Sequence, residues 1–217
     1  MVHTSVEHQE RLAFIKDYLS TIENAGKFSA DQVLVREIAN LKRLGFAADD
    51  EVAVERVTYV QLFSIEVTEM IRAQMVVVIW SYFENLFASA IRSIAMHKNI
   101  CVSFKKQKNM SLVCSWKEYF REILDFEPSI SEEEWQKLSD ILHARNFIAH
   151  STHRPGMPPS GKQMEAVERL TGIRIVPDGI SISRDFLVSH LIFAEQILNK
   201  LGGEHWLQSE IFALPDV

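Results

Sequence analysis

The stretch that decides the fold is SEEEWQKLSDILHARNFIAHS, residues 131–151. It opens with Ser131 and, three residues later, Glu134, which is the capping-box pattern of a helix N-terminus. At about 100° per residue, six apolar side chains fall in one arc of roughly 140°. These six are Trp135, Leu138, Ile141, Leu142, Ile148 and Ala149. An arc of this width is typical of a helix that buries one face, so we expect a helix packed on a core.

The segment RNFIAH (145–150), called the RNFIAH motif below, adds polar side chains to this helix. Arg145 falls inside the apolar arc, where a guanidinium is destabilising unless it is paired or reaches a cleft or an interface. A polar stripe lies beside the arc and contains Ser139, His143, Asn146 and His150. Asn146 and His150 are four residues apart and can touch. Phe147 falls toward the polar side, which predicts that this side is covered as well.

Two interpretations of the RNFIAH motif are open from these residues alone. In the structural one, Arg145 pairs with an acid at the edge of the core such as Glu84. His150 then stabilises the helix C-terminus, where a cation is favoured, and Asn146 bonds to backbone. In the chemical one, the three side chains act together on a phosphate.

The chemical interpretation fits RNA cleavage, because RNA carries its own nucleophile in the 2′-hydroxyl. Cleavage needs a base for that proton, an acid for the leaving 5′-oxygen and positive charge for the phosphorane. Histidine titrates in the range that proton transfer requires, and arginine offers a two-pronged donor to phosphate oxygens. No metal is needed for this chemistry. The nearby HSTH (150–153) has two histidines but no Asp, Glu or Cys closely after it, so we predict neither a metal nor a cofactor.

The first half of the chain has mostly helical periodicity. A helix is predicted over 5–25 with a stop at Gly26, followed by a second helix from a capping box at Ser29–Gln32 to Gly45. The pattern then stays helical from about residue 50 to 97 without Pro or Gly. This stretch is either one long helix or two helices joined near residues 57–63, where β-branched residues collect.

The second half predicts shorter elements. A polar, lysine-rich loop over 98–110 is followed by an amphipathic helix over 111–126. The prolines and glycines of HRPGMPPSGK (153–162) argue against a helix there. Two alternating runs around Pro-Asp-Gly predict a β-hairpin over 173–183. A last helix runs from about Arg184 to Leu201 and stops at Gly202-Gly203. We therefore expect an all-α helical bundle with a small β-hairpin before the C-terminal helix.

Composition limits the function classes. The chain has 217 residues, a net charge of −6 and two cysteines without ligand spacing. Its length fits one domain. The net charge argues against coating of nucleic acid by bulk electrostatics. No stretch reaches the roughly 18 apolar residues of a membrane span, so no membrane is expected. Because no signal peptide is recognisable, we expect a cytoplasmic protein.

Two long windows without any acidic residue interrupt this acidic average. Residues 85–117 carry six lysines and arginines and no Asp or Glu, and residues 141–164 carry three. The basic side chains that we assign to RNA contact are Lys105, Lys106, Lys108 and Arg154. Such windows occur by chance as well. A positive surface on an acidic body, however, suits a ligand that bears phosphate.

The RNFIAH motif resembles the signature of the HEPN superfamily, which has Arg, a polar residue and then His near the end of a late helix. The segment VVVIWSYFENLFASAIR (76–92) resembles the earlier core helix of that family, with its aromatic residues and the acid Glu84. The hairpin and final helix are similar to stand-alone prokaryotic members of the RiboL-PSP-like branch. The resemblance covers roughly residues 50–201. Residues 1–50 are interpreted as an N-terminal helical extension and 202–217 as a tail.

The resemblance implies a metal-independent endoribonuclease of the toxin or antiviral-defence type, acting as a homodimer whose motif helices face one cleft. It implies catalytic roles for Arg145, Asn146 and His150, with support from Glu84 and His143. Expected partners are RNA, a second copy of the chain, and an antitoxin or inhibitor protein. The alternative is a non-catalytic HEPN-like module that binds nucleotide, RNA or a partner protein.

Overall fold

The computed structural model describes residues 3–151, 158–176 and 179–201. Within these ranges the chain forms six α-helices, one π-helical turn and one two-stranded sheet. The helices are α1 (His3–Arg43), α2 (Glu51–His97), α3 (Leu112–Glu118), α4 (Glu132–Ser151), α5 (Gly161–Arg169) and α6 (Arg184–Lys200). The π-turn Tyr119–Ile123 continues α3 directly. The predicted all-α bundle with a hairpin before the last helix is therefore confirmed.

Helix α1 is one continuous helix of 41 residues, so the predicted stop at Gly26 and the predicted cap at Ser29 are both wrong. The physical reason is packing along α2. Gly26 faces α2, since a Cβ added there would lie in ordinary van der Waals contact with Ile71, at 3.5 Å. Tertiary contact outweighs the roughly 1 kcal/mol by which glycine disfavours a helix interior. The predicted end near Gly45 is confirmed, because that residue has φ +86°.

Helix α2 runs unbroken for 47 residues, which settles the choice between one helix and two. It pairs with α1 in antiparallel fashion, as two ion pairs indicate: Arg72–Glu23 at 2.8 Å and Arg56–Glu37 at 3.3 Å. Asp50 caps its N-terminus by accepting from the Val52 amide. None of the helices in the described part of the chain combines the length and apolarity that a bilayer crossing requires.

The core centres on aromatic side chains of α2 and α3. Trp116 stacks on Phe87 with ring centroids 4.2 Å apart, and the Phe83 and Trp80 rings lie within 6.3 Å of it. Trp135 of α4 extends this aromatic cluster, because its ring lies edge-on to Phe87 with the ring centroids 6.3 Å apart. Ser111 caps α3, as expected for a helix beginning at residue 111. The helix was predicted to reach residue 126, but α3 and its π-turn end at Ile123.

The predicted β-hairpin is present, and its antiparallel register places Ile173 opposite Ile182 and Val176 opposite Gly179. The Pro177-Asp178 turn lies outside the described residues. Glu69 of α2 fastens the hairpin to the bundle, since its carboxylate accepts from the Ile182 amide at 2.8 Å and from the Ser181 hydroxyl at 3.2 Å. Ser183 then caps α6, which ends at Lys200. The predicted stop at Gly202-Gly203 and the tail 202–217 also lie outside the described residues.

Helix α5 was not predicted, and its first residues belong to the stretch 153–162 that we expected to be free of helix. Ser160 and Gln163 form a capping box, with both the side-chain and the backbone bond present. The sequence signal was therefore there, in SGKQ (160–163). The preceding Pro158 and Pro159 do not prevent a helix from beginning after Ser160, because a proline constrains only its own backbone and that of the residue before it.

Candidate functional site

Helix α4 carries the RNFIAH motif on its last two turns and is held firmly at its other end. The predicted capping box is present: the Glu134 amide donates to Ser131 Oγ and the Ser131 amide donates to Glu134 Oε2. Lys200 Nζ donates to both Glu134 oxygens, at 2.6 and 2.7 Å. The hydrogen bonds from Lys200, and to a smaller extent those with Ser131, lower the pKa of Glu134. The helix start is thus fixed to α6.

The apolar face of α4 is close to the predicted one. Trp135, Leu138 and Ile148 are buried, and so are the other predicted core residues except Ala149, which is half-buried. Phe147 is also buried, which confirms that the polar side of the helix is covered.

Arg145 is half-buried and has an incomplete set of partners. Its Nη1 donates to Asn146 Oδ1 at 3.2 Å. Its Nε is buried and has no hydrogen-bond partner. Among the described residues, no carboxylate lies within ion-pairing distance of this guanidinium. An arginine in such a place retains unused donors that an anion could bind.

Glu84, which the structural interpretation named as an example of a partner for Arg145, does not form that ion pair. Its carboxylate accepts instead from Trp80 Nε1 at 3.1 Å, one turn earlier on the same helix. This bond satisfies the indole of a fully buried tryptophan. Glu84 therefore has an evident structural task, and its supporting role toward Arg145 stays a prediction.

Asn146 is half-buried and His150 is exposed, one turn further along α4. His150 is accessible to a large ligand, while Asn146 is engaged by Arg145. His143 lies two turns before His150 and is half-buried. Burial lowers the pKa of His143, with Asp140 opposing the shift and Lys162 adding to it. His143 is therefore a sheltered histidine whose lowered pKa favours the neutral imidazole.

The basic side chains assigned to RNA contact are only partly brought together. Lys105, Lys106 and Lys108 are all exposed on the loop between α2 and α3. Gln107 pins this loop to α3, because its amide donates to Ser115 Oγ at 3.2 Å and its side chain donates to Glu118 at 2.8 Å. Within the described ranges these lysines make no hydrogen bond or ion pair with α4. Arg154 lies outside the described residues.

A second polar cluster, which the sequence did not reveal, lies where α4, α5 and α6 meet. Asp140 is buried, and Arg169 donates to both of its oxygens at 2.7 and 2.9 Å. Gln136 donates to the same carboxylate at 2.9 Å. The cluster lines an open cleft of about 520 Å³. Sequence spacing could not join residues 29 positions apart when the helix that carries Arg169 was not predicted.

His190 forms the floor of this cleft from α6. It is buried to 2% exposure, and its Nδ1 has no hydrogen-bond partner. Burial, with a smaller effect of Lys137, lowers the pKa of His190 to about 3. The Lys137 ammonium itself lies 4.3 Å from the centre of the Phe193 ring, a cation–π contact. His190 is therefore neutral at all ordinary pH values.

In the part of the chain that the structure describes, no three His, Cys, Asp or Glu side chains are arranged to hold a metal ion. No protein-family model, no curated protein and no solved structure matches this chain.

Proposed function

We propose that the protein is a metal-independent endoribonuclease of the HEPN type, and that Arg145, Asn146 and His150 carry the reaction. The observation that carries the proposal is the state of Arg145. This guanidinium is half-buried, has no carboxylate partner among the described residues and keeps a buried Nε without a partner. A purely structural arginine at a core edge is normally paired, because an uncompensated charge is destabilising. A phosphate would supply the missing negative charge.

The mechanism follows from the roles these side chains can fill. His150 removes the proton of the ribose 2′-hydroxyl, and the oxygen attacks the adjacent phosphorus. Arg145 stabilises the charge that develops on the phosphorane oxygens. Asn146 holds the guanidinium by accepting from Nη1 at 3.2 Å, which orients the remaining donors. The 5′-oxygen leaves with a proton, and the upstream product ends in a 2′,3′-cyclic phosphate.

The base acts at the 2′-oxygen and the acid acts at the 5′-oxygen, which lie on opposite sides of the phosphorus. One histidine cannot contact both oxygens at once, so a different group must be the acid. His143 is the nearest candidate on α4, but two helical turns separate it from His150 by roughly 10 Å along the axis. That spacing is too long for both rings to contact one phosphodiester. The second proton-transfer group is then the His150 of a second copy, with the two motif helices facing each other across the RNA.

The class of RNase within the family is part of the proposal. We infer a toxin or antiviral-defence enzyme that is restrained by an antitoxin or inhibitor protein, as the resemblance implies. Lys105, Lys106 and Lys108 form an exposed basic loop that can contact the RNA backbone away from the cleaved bond. Their contribution should be to binding and to its salt dependence, not to the chemical step.

The test is cleavage of a panel of end-labelled tRNA, ribosomal RNA and single-stranded RNA by the purified chain, with and without EDTA. Wild-type protein should cut in both conditions and leave 2′,3′-cyclic phosphate ends. His150→Ala and Arg145→Ala should each lower the rate by roughly 100-fold or more. His97→Ala is the matched control, because His97 is also an exposed histidine on a helix. It should leave the rate unchanged.

The same variants can be expressed in a bacterial host while growth and total RNA are followed. Arrest with discrete RNA fragments, in wild type and His97→Ala only, would support the proposal. Cleavage that is lost in EDTA, or cleavage that survives His150→Ala, would contradict it. RNA binding without cleavage, retained in His150→Ala, would identify the non-catalytic binding module instead.

A further inference from the structure

The α1–α2 pair extends beyond the core as a two-helix arm, defined here as residues 27–70. The core cluster starts at Leu19 on α1 and at Ala73 on α2. Within the arm only Leu41 and Ala53 are buried hydrophobic residues. Twelve of the twenty large apolar side chains that are exposed in the described chain lie on the arm. They are Phe28, Val33, Val35, Ile38, Leu44, Val52, Val54, Tyr59, Leu62, Phe63, Ile65 and Met70.

On α2 this exposure follows a regular pattern of two adjacent stripes. The inner stripe packs toward α1 with spacings of four and three residues. It consists of Ala53, Val57, Val60, Ser64, Val67 and Ile71, all buried or half-buried. The outer stripe has the same spacing one residue earlier, and all of its members are exposed. It consists of Val52, Arg56, Tyr59, Phe63, Glu66 and Met70. Alternating spacings of four and three define the seam of a coiled coil, so the outer stripe is a seam without a partner.

The outer stripe is symmetric about residue 61. Val52 and Met70 are equidistant from that point, and so are Arg56 and Glu66, and Tyr59 and Phe63. A two-fold axis at residue 61 therefore places each residue of the stripe opposite a complementary residue of the second chain. The apolar Val52 faces Met70, Arg56 faces Glu66, and the aromatic Tyr59 faces Phe63. An interface between identical chains about a two-fold axis needs this self-complementarity.

We propose that the arm is a dimerisation element, in which the outer stripe of α2 packs antiparallel against the same stripe of a second copy. The centre of the interface is Tyr59 against Phe63 of the second chain, present twice. Arg56 pairs with Glu66 of the second chain on either side, and Val52 and Met70 close the two ends.

The charges select the antiparallel arrangement. A parallel pairing in register would place the two Arg56 side chains together and the two Glu66 side chains together, which is repulsive. Glu66 has no hydrogen bond or ion pair within the described ranges. Arg56 is half-exposed and contacts Glu37 at 3.3 Å within its own chain, which leaves other guanidinium donors for the second copy. A charge pair in such a seam sets register and orientation more than affinity.

The outer stripe itself presents a modest apolar area. Its four apolar side chains, Val52, Tyr59, Phe63 and Met70, are each about half exposed, and at roughly 150 Å² apiece they present on the order of 300 Å². Arg56 and Glu66 add to the contact. The pairing is therefore smaller than a standard interface, which buries about 800 Å² on each partner, and we expect a dimer that depends on concentration.

This pairing is separate from the contact between motif helices in the proposed nuclease. Residue 84 of α2 lies roughly 35 Å along the helix from the two-fold axis at residue 61. The two bundles are therefore at opposite ends of the paired arms, and the arm contact does not bring the two His150 side chains together. The arm dimer can exist whether or not the chain cleaves RNA.

The first experiment is sedimentation of the full chain over a range of concentrations. Wild type should be a dimer or a larger even-numbered assembly. Phe63→Glu should raise the dissociation constant of the arm contact by roughly 100-fold or more, because it places two like charges at the centre of the interface. Ile65→Glu is the matched control: Ile65 is 59% exposed against 55% for Phe63, but lies roughly 140° around α2 from the outer stripe. It should leave the assembly intact. Circular dichroism should show that both variants keep their helices.

The second experiment reverses the charges. Arg56→Glu alone and Glu66→Arg alone should each dissociate the arm dimer, since each places like charges opposite one another. An equimolar mixture of these two variants should associate, because a heterodimer restores both pairs. Glu37→Gln controls for the contact of Arg56 within its own chain and should not dissociate the dimer. A monomeric wild type, an assembly indifferent to Phe63→Glu, or no recovery on mixing the charge variants would overturn the proposal.

Discussion

Replacing His190 with leucine should make the protein more resistant to acid. In the native protein the imidazole is buried on α6 beside Phe186, with ring centroids 5.8 Å apart, and Nδ1 has no partner. Burial and the charge of Lys137 lower its pKa to about 3, whereas an unfolded chain has the ordinary value near 6.5. Because the folded pKa is depressed, the unfolded state takes up the proton first. Stability is therefore complete above pH 6.5 and falls as the pH decreases from 6.5 toward 3.

The size of the effect follows from linkage. Each pH unit between the two pKa values removes about 1.4 kcal/mol from the free energy of unfolding. At pH 5 the loss through His190 is therefore about 2 kcal/mol relative to pH 7.5. Leucine carries no proton, so this part of the slope disappears. At pH 7.5 the variant should be as stable as wild type or about 1 kcal/mol more stable, because it removes a buried unpartnered nitrogen.

The assay is urea unfolding of both proteins, followed by circular dichroism between pH 7.5 and 5. All other titrating groups are shared, so the difference between the two curves isolates residue 190. His143→Leu is the comparison variant: His143 is half-buried and Asp140 opposes the shift, so its slope should change less. A stability difference between wild type and His190→Leu that stays constant across this range would refute the reasoning.

Three further outcomes are expected. Gly172→Ala should lower the free energy of unfolding in urea by about 2–3 kcal/mol. The φ angle of Gly172 is +86°, and the new Cβ would lie 2.4 Å from Ser183 Oγ, which caps α6. In a Ser183→Ala background, which lacks that hydroxyl, the same substitution should cost less. Trp116→Ala should cost about 3–5 kcal/mol in the same assay, because it empties the centre of the aromatic core. Arg145→Met should abolish RNA cleavage but leave the free energy of unfolding unchanged or raise it by about 1 kcal/mol, because it removes a buried donor without a partner. Clear destabilisation would show that Arg145 is structural.

Much of the fold could be predicted because local signals agree with the tertiary structure. The Ser131–Glu134 box begins α4, and the two alternating runs form the predicted hairpin. The failures occur where long-range packing opposes a local signal. A glycine such as Gly26 often ends a helix, but here α1 continues through it and packs along α2, in contact range of Ile71. The end of α1 therefore depends on α2, which no single window of sequence reveals.

The candidate site divides in the same way. Arg145, Asn146 and His150 are neighbours on one helix, so the helical period alone brings them together. The Asp140–Arg169 pair and the buried His190 come from three different helices. Their meeting depends on how α5 and α6 fold back over α4. Asp140 falls roughly 80° outside the predicted apolar arc of α4, so the sequence indicated neither its burial nor its partner.

The two ends of α4 differ in a way that bears on function. Toward its start, Glu134 is bonded to Ser131 and Lys200, and Asp140 is bonded to Gln136 and Arg169. Toward its end, Arg145 has one bond through a side chain and a buried nitrogen with no partner. A helix that is anchored this well can tolerate an unsatisfied cation near its other end, because the anchor prevents the helix from shifting to relieve it. Residues that conflict with local stability in this way are expected at functional sites, and rigid support is what a phosphate-binding arginine needs. In the proposed nuclease, the anchored half of α4 would therefore hold the RNFIAH motif in place for its RNA substrate.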